Sequence, residues 1–480
     1  MNARADITIT RSQQIAAYAA GALTREFPDD VLSAAKLALI DVMGCAIGAW
    51  DEACVRPLRR VVESWGARGN AQIFLGGRTA PAFAALANGT MAHAMDYDDS
   101  HQMGAGHISC VCGTTALALA GHAAALAPTG VSGSSEKDAL AAFITGFEVM
   151  ARLGGGGPAG VGRSLHRRGL HPTSVFGRVG AAVVASVLMR LTPQQTEYAM
   201  GVAATTAGGL VGSFGTHANP FHGGKAAMDG ILAAELAKEG FQSATQLLEL
   251  EKGLLDAFIQ DRKVEVPPMD FSYWELKRNG FKPYASCRAT HASIQTSRKL
   301  APLVAGRRIT KVHARVHPNV LVVANNLNPQ TPLAHKFSVR YCIAMGLTGY
   351  RLVASDFTDK LMQDAALKEI AAVTEVEVVP DQPQYEAHLD VTVEGDAKPL
   401  HADTSIVLGH ADNPMSEDEV WGKFDGLVTP VLGADKARAL YDLLKQFETP
   451  GNFNKIISLV AADDFNRRAK PVKDSGAQAD

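Results

Sequence analysis

The sequence predicts a mainly α protein in which a large helical unit is interrupted, late in the chain, by a smaller mixed α/β unit. Three observations carry that prediction. Ala-rich segments with helix-start signals fill the first 268 residues, alternating strand patterns begin after Met269, and helical periodicity returns after about residue 406. At 480 residues the chain is longer than one hydrophobic core usually serves, so more than one domain is expected. The division read from these changes is 1–268 helical, 269–405 α/β, and 406–480 as helices that rejoin the first part.

Residues 11–25 and 28–50 read as helices, the second opened by Pro28-Asp29-Asp30, a proline and two acids where a helix start favours them. Its far end, Gly44-Cys45-Ala46-Ile47-Gly48, is small or apolar throughout and should be deeply packed. Residues 79–95 and 108–126 form two more buried helices, and 127–137 a loop. A helix at 138–153 ends in Gly154-Gly155-Gly156-Gly157-Pro158, a turn or close-approach segment. Helices follow at 172–190, at 193–207 with Thr192 as N-cap before Pro193, and at 223–239. In the α/β stretch, segments starting at Ile309, Val373 and His388 alternate as half-buried strands do, with helices at 290–303, 334–350 and 359–371. Helices at 416–428, 434–446 and 451–461 follow, and the polar tail from Lys470 should fray.

Composition excludes several classes. A net charge of -3 argues against a general nucleic-acid or anionic-membrane surface. No apolar run approaches the length of a membrane span, and the first residues lack a secretory pattern. The six cysteines (45, 54, 110, 112, 287, 342) lack zinc-type pairing, so a reduced, cytoplasmic protein with free thiols is expected.

Chemistry concentrates in Met91 to His107, where His93, Asp96, Asp98, Asp99, His101 and His107 fall in an otherwise apolar region. Charges among apolar elements are costly unless paired or used, which makes the cluster a site candidate. By spacing alone it could hold a divalent metal, run acid/base chemistry, or cap and staple helices. A carbocation-guiding role is disfavoured by the low aromatic content of 6%. Three other patches join it. Arg167-Arg168-Gly169-Leu170-His171-Pro172 is a basic, His-bearing turn. Gly212 to Lys225 carries His217, Asn219 and His222 into a helix start. Phe281 to His291 places Lys282, Cys287, Arg288 and His291 near the texture change, where clefts form. Carboxylates, imidazoles and scattered cations without a nucleotide loop suit a small polycarboxylate substrate. Arg and Lys would clamp its carboxylates and a histidine would move a proton.

These residues resemble the MmgE/PrpD family, which includes 2-methylcitrate dehydratases, cis-aconitate decarboxylases and iminodisuccinate epimerases. The matching stretches are Ile40–Gly48, Ala87-Asn88-Gly89 with His93–His101, Gly169–Ser174, Gly215–Ala227, Lys282–His291 and His335–Ala344, in family order. The resemblance implies a large all-helical domain, a smaller α/β lid, a homodimer, and cofactor-independent chemistry on di- and tricarboxylates; no metal is expected, with a metalloenzyme as a third reading. In the decarboxylase branch the pocket positions fall on Asp96, Ser100, His107, His171, Lys282 and Cys287. Family members often carry Lys where this chain has Asn219, and Lys225 is the nearest replacement cation.

The expected activity is therefore a lyase, most simply a 2-methylcitrate dehydratase-like hydro-lyase, with decarboxylation and epimerisation as alternatives on the same scaffold. A non-catalytic carboxylate-binding protein is the rival from another class. His107 or His171 would take the α-proton, Asp96 would set imidazole tautomer and charge, and Lys282 would act beside them. Arg288 joins Lys282 in binding carboxylates by chemistry alone. Ser100, Asn219, Lys225 and Cys287 complete the expected substrate contacts.

Overall fold

The computed structural model describes residues 9–104, 106–126, 135–261, 263–264, 266 and 268–461. The expected loop at 127–137 and the polar tail fall largely outside these residues.

The chain is mainly α, with its largest sheet confined to a smaller α/β part. At the centre of the helical part, Ala218–Lys238 packs against both Pro81–His93 and Pro172–Leu188. Glycine makes that approach possible. A Cβ on Gly89 would lie 2.8 Å from Gly224 Cα, and one on Gly224 would lie still closer to the carbonyl of Leu86. The last helices return to this body, since Glu417–Leu432 packs on Asp29–Gly48. There Phe424 and Leu427 cover Gly44 and Gly48, which a Cβ would bring to 2.9 Å and 2.8 Å of those side chains.

The α/β part has its own core, built from residues such as Leu300, Val312, Val316, Leu389 and Val391. Its sheet runs Thr374–Val378, Ile309–Val316, Ala387–Val393, Leu400–Thr404, with the first pair parallel and the others antiparallel. Ala387–Val393 alternates strictly between buried and half-buried positions, and helix His291–Val304 packs against it.

Several boundaries differ from the sequence reading. The first helix stops at Ala20, followed by a 3₁₀ turn at Ala22–Thr24. The helix expected at 223–239 starts at Ala218, because Pro220 is tolerated in a first turn. The segment 334–350 divides into Pro332–His335 and Val339–Leu347. Between them the carbonyls of Lys336 and Phe337 accept from the backbone N–H groups of Cys287 and Asn326, each at 3.0 Å, instead of continuing a helix. The segment 359–371 divides likewise, with Asp364 capping Ala365–Ala372. Helices Val55–Ser64 and Val161–Arg167 and strand Leu400–Thr404 were not anticipated.

Candidate active site

The site is assembled where helix Pro81–His93 ends. Asp96 adopts φ +50°, a left-handed conformation uncommon outside glycine and costly unless the surroundings hold it. The turn that follows feeds the two-residue strand Ser100–His101, which pairs with Asn279–Gly280 and so ties the cluster to the chain leading to Lys282. His171 is the N-cap of Pro172–Leu188.

These elements surround a cavity of about 590 Å³, solvent at its mouth included. His93, Asp96, Ser100, His107, His171, Asn219, Cys287 and Arg288 line it, together with Arg163, His166, Phe214 and Tyr385. Seven of the nine expected site residues thus meet in one place. Two do not. Lys225 pairs with Asp229 on its own helix, so as placed it does not supply the cation missing at Asn219. Lys282 sits fully buried behind the wall, its Nζ 2.6 Å from Asp96 Oδ1 and 2.8 Å from the Asp96 carbonyl. Its charge is matched by Asp96 rather than presented to the cavity.

Asp98 is the carboxylate that organises the imidazoles. Its Oδ1 lies 3.0 Å from His93 Nδ1, and its Oδ2 lies 3.3 Å from His107 Nδ1 in a poorly aligned contact. Asp96, expected to orient an imidazole, approaches His107 Nε2 only to 3.7 Å. Burial works against charge on Asp98, yet His93 and His107 together hold its carboxyl well below the usual range. Burial also opposes charge on His93, and Asp98 outweighs it, so His93 is raised. His107 and His171 go the other way: burial lowers both, with neighbouring imidazoles and, for His107, Lys282 adding to it. The wall therefore carries one imidazole biased towards the charged form beside two biased towards the neutral form. Neutral imidazoles can accept a proton at neutral pH.

The cations come from two directions. Arg288 Nε and Nη2 and Arg163 Nε are buried without protein partners. Burial lowers Arg288 to about 10, so it stays charged near neutral pH. Buried guanidinium nitrogens without partners are costly, and a carboxylate supplies the bidentate acceptor that removes the cost. Cys287, pushed up to about 12 by burial and by Asp96, is a protonated thiol and not a nucleophile.

By distance, ligand atoms of His93, Asp96, Asp98 and His107 fall within 4.8 Å of one another. The donor set fits a divalent ion poorly. Lys282 already holds Asp96, and an added dication would meet that ammonium at close range.

Arg163 and His166 escaped the sequence reading. Both project from the short helix Val161–Arg167, which carries too few residues for a periodicity signal. The available clue was its glycines. A Cβ on Gly162 would overlap the carbonyls of Gly104 and Gly154, so this helix must lie directly on the loop that carries the Asp/His cluster.

Comparison with known proteins fits this geometry. The model of the MmgE/PrpD N-terminal domain matches residues 13–267, and that of the MmgE/PrpD C-terminal domain matches 284–449. The chain belongs to the MmgE/PrpD family. Among its relatives, a cis-aconitate decarboxylase of Homo sapiens is 29% identical over 385 residues, covering 77% of each chain. One from Aspergillus terreus is 27% identical over 381 residues, 75% of each. A cis-aconitate decarboxylase-like protein of Aspergillus oryzae is 24% identical over 465 residues, 91% of this chain and 94% of the relative. These relatives are named for decarboxylation, which backs the expected alternative better than the leading 2-methylcitrate dehydratase reading.

Proposed function

We propose that this protein is a cofactor-independent lyase that decarboxylates a small unsaturated polycarboxylic acid of the cis-aconitate type. The observation that carries the reading is the cavity itself. Two arginines with unpartnered buried nitrogens share it with two imidazoles biased towards the neutral form. The names of the relatives point the same way.

The chemistry follows from that set. Arg163 and Arg288 hold two carboxylates of the substrate, and the third lies against the apolar wall of Phe214 and Phe337. Desolvation there favours loss of charge as neutral CO₂. As the C–C bond to that carboxylate breaks, its electron pair forms a new C=C bond, and the original C=C pair moves to the far alkene carbon. That carbon takes one proton from His171 or His107, a neutral ring that regains a proton at its other nitrogen as it gives this one. One CO₂ leaves, one proton is taken up, and cis-aconitate becomes methylenesuccinate. Asp98 keeps the His93 and His107 rings in place throughout.

The test is turnover of cis-aconitate, citrate, 2-methylcitrate and iminodisuccinate followed by NMR in D₂O. Cis-aconitate is expected to give CO₂ and singly deuterated methylenesuccinate. His107→Ala and His171→Ala are each expected to lower kcat by roughly 10²- to 10⁴-fold, the usual scale of general acid–base catalysis. Water loss from 2-methylcitrate with no CO₂ from cis-aconitate would return the assignment to dehydration. Full activity in both His variants would remove the imidazoles from the mechanism.

A further inference from the structure

His171 is 3% exposed, and among the described residues its side chain hydrogen-bonds another imidazole: its Nδ1 lies 3.0 Å from Nδ1 of His222. The ring centroids are 5.3 Å apart at 52°. His222 belongs to the start of helix Ala218–Lys238 and is half-buried, so it meets solvent where the buried His171 does not. It is not among the cavity-lining residues. The pair is held by its surroundings. The backbone N–H of His171 donates to the carbonyl of Gly209 at 3.0 Å. Gly209 has φ +125°, and a Cβ there would lie 2.5 Å from Ser174 Cβ and 3.6 Å from His222 Cδ2, so the loop can close on the pair only as glycine.

Two neutral imidazoles joined through Nδ1 share one proton between those atoms, and its owner decides both tautomers. Burial lowers His222 to about 4 and holds His171 well below its ordinary value, with Arg178 and the rings of His93, His107 and His166 adding to the effect. Both rings are therefore neutral at pH 7. A neutral imidazole is a very weak acid. It gives up its N–H readily only if its other nitrogen gains a proton in the same step.

We infer that His222 is a positioning residue for the reaction: its Nδ1–H donates to His171 Nδ1, fixes the His171 proton on Nε2, and reprotonates the ring from behind as Nε2–H is delivered. The direction of donation rests on the decarboxylase reading, which needs His171 as an acid. The balance closes. His171 Nε2 gives one proton to the substrate carbanion, His222 Nδ1 gives one to His171 Nδ1, and water gives one to His222 Nε2, leaving a hydroxide that bulk acid neutralises, which is the one proton the reaction takes up. The pair is neutral before and after, with tautomers exchanged, and returns when solvent refills the open cavity.

Two measurements test this in the full-length protein. The first is independent of turnover: ¹⁵N NMR of histidine-labelled protein, with His171 and His222 assigned by single substitution. His171 is expected as the Nε2–H tautomer in the unsubstituted protein and as a tautomer mixture in His222→Phe. An Nδ1–H tautomer, or no change on substitution, overturns the inference. The second is kinetic. His222→Phe is expected to lower kcat by roughly 100-fold with KM changed by less than about threefold. His222→Gly is expected to recover on adding imidazole to the buffer. A loss confined to KM, or kcat retained within about twofold in a folded variant, also overturns it. If the unsubstituted protein decarboxylates nothing, the decarboxylase reading fails, and the NMR result still decides the hydrogen bond.

Discussion

Asp98 and Asp99 are adjacent in sequence and equally buried, yet their environments drive them apart. Asp98 faces two imidazoles and stays ionised, whereas Asp99 is raised to about 7 by burial and by the charge of Asp41. The raised value has a stability consequence. Between an unfolded carboxyl near 3.9 and a folded one near 7, the folded state binds more protons than the unfolded state. Stability contributed at Asp99 therefore falls as pH rises through that window. Asp99→Asn removes the proton exchange while keeping an oxygen to accept from Ser109 or Asn279. The difference in Tm, variant minus parent, is expected to grow by several degrees from pH 5 to pH 8. A difference flat with pH would show that Asp99 does not titrate there. The sequence made this cluster visible as chemistry, because aspartates and histidines in an alanine-rich stretch need a reason. It did not divide the roles. Which carboxylate faces imidazole depends on the left-handed turn at Asp96 and on Lys282 arriving from 186 residues away, and neither leaves a local pattern. Arg163 was hidden for the same reason.

At the scale of elements, the structure is ordered by where helices may touch. The crossing of Pro81–His93 and Ala218–Lys238 tolerates no side chain at Gly89, whose added Cβ would meet backbone that cannot move aside. Gly89→Ala is expected to destabilise the protein by about 1–3 kcal/mol, the usual cost of overpacking. Gly426, inside Glu417–Leu432, has nothing within 4 Å of the same atom. Gly426→Ala should stabilise by about 1 kcal/mol through helix propensity alone. Denaturant unfolding of the two variants checks both signs, and equal effects would refute the close-packing account. Elements set by local signals were legible: Thr192 caps Pro193–Thr205 with a full capping box, as its Thr-Pro start implies. Elements set by distant partners were not. The break at Lys336–Ser338 follows from carbonyls claimed by Cys287 and Asn326, and a propensity reading continues the helix through it.

Over the whole molecule, the α/β part meets the helical part through buried and part-buried polar links and not only through apolar packing. Lys282 reaches Asp96. Lys336 Nζ donates to the Met95 carbonyl at 2.6 Å, and the Tyr385 hydroxyl donates to the Gln102 carbonyl at 3.2 Å. All three arrive on the turn that carries the candidate site, so anything that orders the cavity should order both parts at once. Tyr385 and Arg288 line the cavity from the α/β side, and His107, Arg163 and His171 line it from the helical side. A bound dicarboxylate would bridge them. Methylenesuccinate at 100 times its dissociation constant is expected to stabilise the protein by about 2.7 kcal/mol by mass action. Amide hydrogen exchange should then slow together at residues 94–107 and 281–291, two segments far apart in sequence but joined by the strand pairing of Ser100 with Gly280. Arg288→Ala should abolish the protection in both segments, since the clamp is lost from one side and the bridge with it. Protection limited to one segment would mean that ligand binds a single wall and that the two parts are not coupled through the cavity.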